Sequence, residues 1–384
     1  MAYYSIFPEK DTTIYSNPDR LTMNTGHDEI LELIKEKGTN NSLYYPSRIL
    51  IQFKDSDIKN VFQTLILNNT SSYSASLELF AAKTVNLASD TIIEAFPLSQ
   101  SWHEGTGRYS NLPTSSNGCT WLYKDNSTNK TLWNTSNFSE NTTGSIESDL
   151  ITKGGGTWYN DNLLKSEQIF NQVLSLDINL DVTNITTKFS SSLLSNITPP
   201  NGIPNNGFII KNSDIIENNV SSSKGELNFF STDTHTIYPP KLTFKWDDSI
   251  HPYNFISEGV KLNGELNVSL YRNKKEYNQN DEALIRLHVR DKYPTRQFTS
   301  TSNYLQPGYF TTSSYYSIRD AHTEEEIIPF DDNFTKLSAD NEGMYFKLYI
   351  KGLQPERHYR ILFKHINNDG TEIFDNNYHF KVIR

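Results

Sequence analysis

Apolar residues recur at every second position through much of this chain, the spacing that puts one face of a strand into a core. Ile49, Ile51 and Phe53 alternate in RILIQF, and Leu77, Leu79 and Ala81 in SLELFAA, after Leu65 and Leu67 in TLILN. Leu174, Leu176, Ile178 and Leu180 follow in VLSLDINLD, then Leu242, Phe244 and Trp246 in KLTFKWDD. The last third repeats the pattern at Leu266 to Leu270, Ile285 to Val289, Phe346 to Ile350, Tyr359 to Phe363 and Tyr378 to Val382. Polar turn runs such as NNTSS, DNSTN, NNDG and PPNGIPNNG separate these segments. Residues 274–279, with Asn280 and Asp281, read as a hairpin connection. Helical pattern is confined to residues 161–173 and a turn at 184–189 that Thr183 would cap. The expectation is an all-β chain: an N-terminal jelly-roll-like β-sandwich followed by a C-terminal immunoglobulin-like β-sandwich.

At 384 residues the chain exceeds one ordinary core. The linker-like HPYNFISEG places a boundary near residues 249–259, giving domains 1–250 and 251–384. The first holds a long inserted loop region around residues 126–171, polar and low in complexity between 126 and 148. Aromatics make up 12% of the chain, with 22 Tyr and 21 Phe, which favours pleated, half-buried surfaces. The single Cys119 excludes an internal disulfide framework and a cysteine-based metal site. A net charge of -10 argues against a phosphate-binding surface, so nucleic acid is not an expected partner. No apolar run is long enough for a helix to span a bilayer. The start MAYYSIFPEK lacks the features of a secretory leader, so synthesis in the cytoplasm is expected. On that ground the N-x-[ST] triplets at Asn126, Asn134 and Asn184 read as polar loop composition, not as glycan acceptors.

Candidate chemistry is sparse. His103-Glu104 in SWHEGTG lacks HExxH spacing, and Asp233 and His235 lack a nucleophile that would complete a triad. Gly154-Gly155-Gly156 lacks the Lys-Ser/Thr of a phosphate loop, and reads as backbone approaching a packed ring. Asp11, Asp28 and Glu29 offer oxygens for a structural Ca²⁺. Trp102, Trp121, Trp133 and Trp158 carry two readings: a stacking platform for a sugar ring, or anchors of long loops.

Several segments, in order, resemble the DNRLRE-type β-sandwich module, related to some carbohydrate-binding modules. They are DTTIYSNP; Asn24, Gly26 and Leu31 to Leu33 in MNTGHDEILEL; and Ser47, Arg48 and Phe53 in SRILIQF. Trp102, Glu104 and Gly105 follow in SWHEGTG, and then Asp181, Val182 and Thr183. Asn206 and Gly207, and Ser231, Pro240, Lys241 and Leu242, complete the series over roughly residues 1–250. The resemblance implies a structural guanidinium at Arg48, tying strand carbonyls or a carboxylate. It offers no counterpart for residues 126–171. The remaining third is similar to C-terminal domains of structural proteins from T4-like marine phages, cyanophages among them. Asp320, Thr323, Ile328, Pro329, Phe330 and Thr335, within residues 316–336, carry that similarity. The joining segment HTIYPPKLTFKWDDS resembles them too.

These resemblances imply a non-enzymatic virion structural protein of a tailed phage, in the neck, tail, baseplate or head surface. Made in the host bacterial cytoplasm, it would be oligomeric in the particle and would act by assembly with other virion proteins, without membrane insertion. The alternative is a carbohydrate-binding host-recognition adhesin with a host surface glycan as partner. Neither reading assigns catalytic, cofactor-binding or metal-binding residues, and no cofactor beyond the structural Ca²⁺ is in view.

Overall fold

The computed structural model describes residues 2–39, 42–67, 72–87, 90–109, 117–133, 140–141, 154–171, 173, 175–198, 201–223, 225–251, 265–271, 273–293, 308–367 and 370–384. Asn134, Leu174, most of the stretch 126–148 and most of the linker 249–259 lie outside the described residues. The chain is all-β in class, and it forms two compact units. One comprises Ile6–Thr64 and Ser74–Thr243; the other comprises Met1–Ser5, Leu65–Tyr73 and Phe244–Arg384.

The N-terminal unit is built on an eight-stranded antiparallel sheet that curls into a half-barrel. Its order is Ser166–Phe170, Thr91–Pro97, Phe208–Asn212, Tyr44–Phe53, Ile30–Lys37, Glu226–Phe230 and Ala81–Val85, with Pro8–Tyr15 paired to Tyr44–Phe53. Alternation assigns each side chain a face. Ile49, Ile51 and Phe53 lie on one, where Phe53 meets Phe208 edge-on and Phe208 in turn meets Phe189. Leu50, Phe96 and Ile209 lie on the other, in one core with Trp102, Trp121, Trp133 and Trp158.

Three expected elements differ. Residues 161–173 are not a helix: Asp161 caps only the single turn Asn162–Leu164, accepting from Leu163 N–H. Ser166–Phe170 then pairs with Thr91–Pro97 over five positions, so ladder pairing overrides a weak local preference. The expected turn at 184–189 is a full helix, Thr183–Ser195, with Val182 at the cap position. Thr183 lies inside it, and its hydroxyl donates to Asp181. Leu65 and Leu67 belong to a helix, Asp55–Leu67, not to a strand. Ile58, Val61, Phe62 and Leu65 are buried at helical spacing, and Asp55 and Asp57 suit the positive end of the helix dipole.

The C-terminal unit is a two-sheet sandwich. One sheet runs Leu266–Tyr271, Glu282–Asp291, Gly343–Tyr349, Ser338–Asp340; the other runs Glu276–Asn278, Gly370–Ile383, His358–Asn367, Ser314–Asp320, Glu326–Ile328. Ile285, Leu287 and Phe346 from the first share a core with Tyr316, Ile361 and Phe380 from the second. The two strands flanking residues 274–279 do pair antiparallel, but the connection carries Glu276–Asn278 across to run parallel to the last strand. A first strand split between both sheets, and this strand order, define the immunoglobulin-like topology. Tyr359, near the start of its strand, donates its hydroxyl to Gln354 O at 2.9 Å, the tyrosine corner of such sandwiches.

At three ladder edges among the described residues, backbone groups are taken up by side chains or by neighbouring backbone. The Gln168 amide donates to Asp177 O and accepts from Asn179 N–H beside strand Ile178–Asp181. Val268 O accepts from Asn376 Nδ2 and from the Tyr378 hydroxyl. Ala339 N–H donates to Ile250 O.

Candidate functional site

The polar groups singled out in the sequence gather in the N-terminal unit. Asp11 is buried in strand Pro8–Tyr15, and Oδ2 accepts from Thr232 N–H at 2.7 Å and its hydroxyl at 2.8 Å. Glu104 Oε1 accepts from Asp11 N–H at 3.1 Å. Burial pushes the Asp11 carboxyl up to about 7, against the pull of the Thr232 hydrogen bonds and helped by the charges of Glu104 and Asp233. Burial likewise raises Glu104.

Asn24, fully buried, organises the loops around this point. Nδ2 donates to Glu104 O and Cys119 O, and Oδ1 accepts from Gly26 and Gly107 N–H. Gly105, at φ +85°, has no room for a side chain: a Cβ would lie 2.3 Å from Asn24 Oδ1. The MNTG and W-x-E-G elements of the sequence are therefore two halves of one loop knot. Trp102 extends it, donating from Nε1 to Asn206 O at 3.0 Å.

The remaining candidates do not combine into reacting groups. His103 is 75% exposed and 3.8 Å from Asp125. Asp233 pairs with His27 at 3.1 Å, while His235 lies 3.7 Å from Glu29. Asp28 accepts from Tyr109 N–H. Among the described residues no three or more His, Cys, Asp or Glu form a group that could hold a metal ion, so Asp11, Asp28 and Glu29 do not form such a group.

Trp102, Trp121, Trp133 and Trp158 are all no more than 3% exposed, so they pack loops onto the sheet and form no sugar platform. Between Trp121 and Trp158 sits the Arg48 guanidinium, 4.8 and 5.0 Å from their ring centres. It makes a two-point pair with Glu217, Nη2 to Oε2 at 2.6 Å and Nε to Oε1 at 3.1 Å, and donates from Nη1 to Gly155 O. Both side chains are fully buried. Gly154, at φ +134°, lets the chain pass close to the Trp121 backbone, since a Cβ there would meet the Trp121 carbonyl O at 2.2 Å. The charge chain continues on the same face: Lys211 Nζ lies 4.0 Å from Glu217 and 3.2 Å from Glu94, which also pairs with Lys165 at 2.9 Å.

Sequence reasoning placed a structural role on Arg48 but missed Glu217, Lys211 and Glu94. A signal existed: single charges interrupt the apolar runs RILIQF, FIIKN and TIIEAF. Residues 126–171 supply Trp133, Trp158, the glycines and an edge strand, so they complete this core.

In the C-terminal unit, Asp320 is buried and accepts from His322 and Thr323 N–H, both at 2.9 Å, while pairing with Arg357. Arg357 and these hydrogen bonds hold its carboxyl below the usual range despite burial. Asp331 Oδ1 accepts from Asn333 and Phe334 N–H, and Thr335 closes the same turn by exchanging hydrogen bonds with the Asp331 backbone. Asp320 and Thr335 thus lock two turns of the sandwich.

No family model matches the chain, and no curated protein matches it. No helix among the described residues is long and apolar enough to cross a membrane.

Proposed function

We propose that this chain is a non-enzymatic structural protein of a tailed-phage virion, in the neck, tail, baseplate or head surface, acting by protein–protein assembly. The observation that carries the reading is the segment 316–336. It is the part most similar to marine-phage structural proteins, and its shared residues Asp320, Ile328 and Thr335 are buried, the two polar ones locking turns of the sandwich. The chemistry of the N-terminal unit supports the same reading, because its ions and tryptophans serve internal packing. The adhesin alternative loses the rings that motivated it.

The test is to purify particles from the producing lysate, identify their proteins by mass spectrometry, and label them with gold-tagged antibody against this chain. Gold at one fixed position of the particle is the expected result. Particles free of the protein would overturn the proposal.

A further inference from the structure

Residues 308–313 are fastened to both sheets of the C-terminal sandwich. Gly308 bridges Val289 and Phe310 N–H donates to Met344 Sδ in one sheet, while Ser313 O accepts from Ile366 N–H in the other. The ring of Phe310, 2% exposed, stacks on His365 at 4.5 Å and on Phe374 at 5.5 Å. His365 is itself 5% exposed. Its Nε2 lies 3.2 Å from the Thr311 hydroxyl, which donates to Ile366 O at 3.4 Å. With that hydroxyl hydrogen committed, the imidazole supplies the proton from Nε2, and its proton-free nitrogen is Nδ1. Among the described residues Nδ1 is buried with no hydrogen-bond partner. An acid proton therefore arrives at a nitrogen that has no acceptor beside it, in a ring stacked on other rings.

The groups around this ring decide what protonation does. Ser314 stands opposite His365 in one neighbouring strand and is neutral, while Glu372 stands opposite it in the other. Glu372 Oε2 also lacks a partner, so no hydrogen bond joins that oxygen to Nδ1. Met344, which meets Phe310 from the facing sheet, carries no charge. His251 is set against the Phe310 backbone, and burial holds its imidazole below the ordinary histidine value, as it does that of His365. We propose that His365 is an acid-sensitive latch, whose protonation releases residues 308–313 and uncovers Phe310. An imidazole freed from the stack titrates at about 6.5 and the stacked one lower, so the latched form binds fewer protons. The latch is therefore at full strength above about pH 6.5 and weakens as pH falls below it. It does not depend on the virion reading, because it requires only the purified protein.

The experiment is hydrogen exchange on the full chain at about pH 7.5 and about pH 5, read by mass spectrometry, with labelling times scaled for the pH dependence of intrinsic exchange. Peptides covering residues 308–313 should open about threefold or more at the lower pH. His365→Phe, which keeps a ring for the stack but cannot titrate, and His365→Gln should each remove that dependence, while His251→Gln should retain it. Equal protection at the two pH values overturns the proposal, as does a response that survives both His365 variants or is lost with His251→Gln. A gain of protection in acid that Glu372→Gln removes also overturns it, because the carboxylate would then hold the imidazolium in place. Should the variants misfold, the pH titration of the His365 ring signals in the NMR spectrum of the unaltered chain decides directly: a midpoint below about 6.5 is expected, and one at or above it excludes the latch.

Discussion

In the immunoglobulin-like unit the core is made of rings meeting within and between two regular sheets, with Tyr316 stacked on Phe346 of the facing sheet at 4.2 Å and Tyr359 on Phe380 of the neighbouring strand at 5.6 Å. The N-terminal unit instead clamps the guanidinium of a buried ion pair between two tryptophans, Trp121 on a loop and Trp158 on the two-residue strand Trp158–Tyr159. The first arrangement depends on apolar volume and tolerates error in proportion to the cavity made. The second depends on completeness: a buried pair adds little over apolar replacements, yet losing one partner strands a charge. The contrast separates a domain that strand pattern alone can specify from one whose loops must find single partners far along the chain.

Removing half of the ion pair is the harshest test of that contrast. Arg48→Met should cost the N-terminal unit about 3–5 kcal/mol, while Arg48→Met/Glu217→Leu should cost less than the single change. Urea unfolding followed by tryptophan fluorescence checks this, because four of the five tryptophans report on that unit. Phe346→Ala should cost the other unit a similar 3–5 kcal/mol, through a cavity alone. Its effect should appear as faster hydrogen exchange in Gly343–Tyr349 and His358–Asn367, with the fluorescence midpoint unchanged. A shift of both probes by either variant would show that the units do not unfold separately.

Acidity should distinguish the units next. The folded Asp11 carboxyl keeps its proton to about pH 7, whereas an unfolded aspartate releases it near pH 4. Between those values the folded state binds the extra proton, so stability is fullest below about pH 4 and falls as pH rises towards 7, by at most about 4 kcal/mol. Glu32, raised by burial to about 7, adds a change of the same sign. Asp11→Asn should flatten the fluorescence-detected slope; an unaltered slope would exclude Asp11 as its source. The smallest effect is expected from Tyr359→Phe, which loses one hydrogen bond worth about 1 kcal/mol and should lower the C-terminal unit's melting temperature by a few degrees.

How much could be read in advance follows the same division. The strands of the sandwich were legible because each alternates inward apolar positions, as Ile285, Leu287 and Val289 do. Helix Asp55–Leu67 was obscured because its last residues, TLIL, alternate locally, and only the longer spacing from Ile58 to Leu65 distinguishes it. Strand Ser166–Phe170 gains its identity from a partner some 70 residues away, and Arg48 finds Glu217 across 169 residues. Such pairings leave no local periodicity. The tryptophans looked ambiguous because loop-rich sequence does not reveal which face of a sheet it will cover.

The closed ladder edges set how this chain can meet its neighbours at high local concentration. With Gln168, Asn376 and Tyr378 occupying backbone groups that a foreign strand would use, annealing by strand addition is discouraged at those edges. In an assembly of the kind proposed, crowded copies would then sample and leave wrong encounters before settling, which is the condition for error correction. A protein that met its neighbours through open edges would instead trap its first mistake.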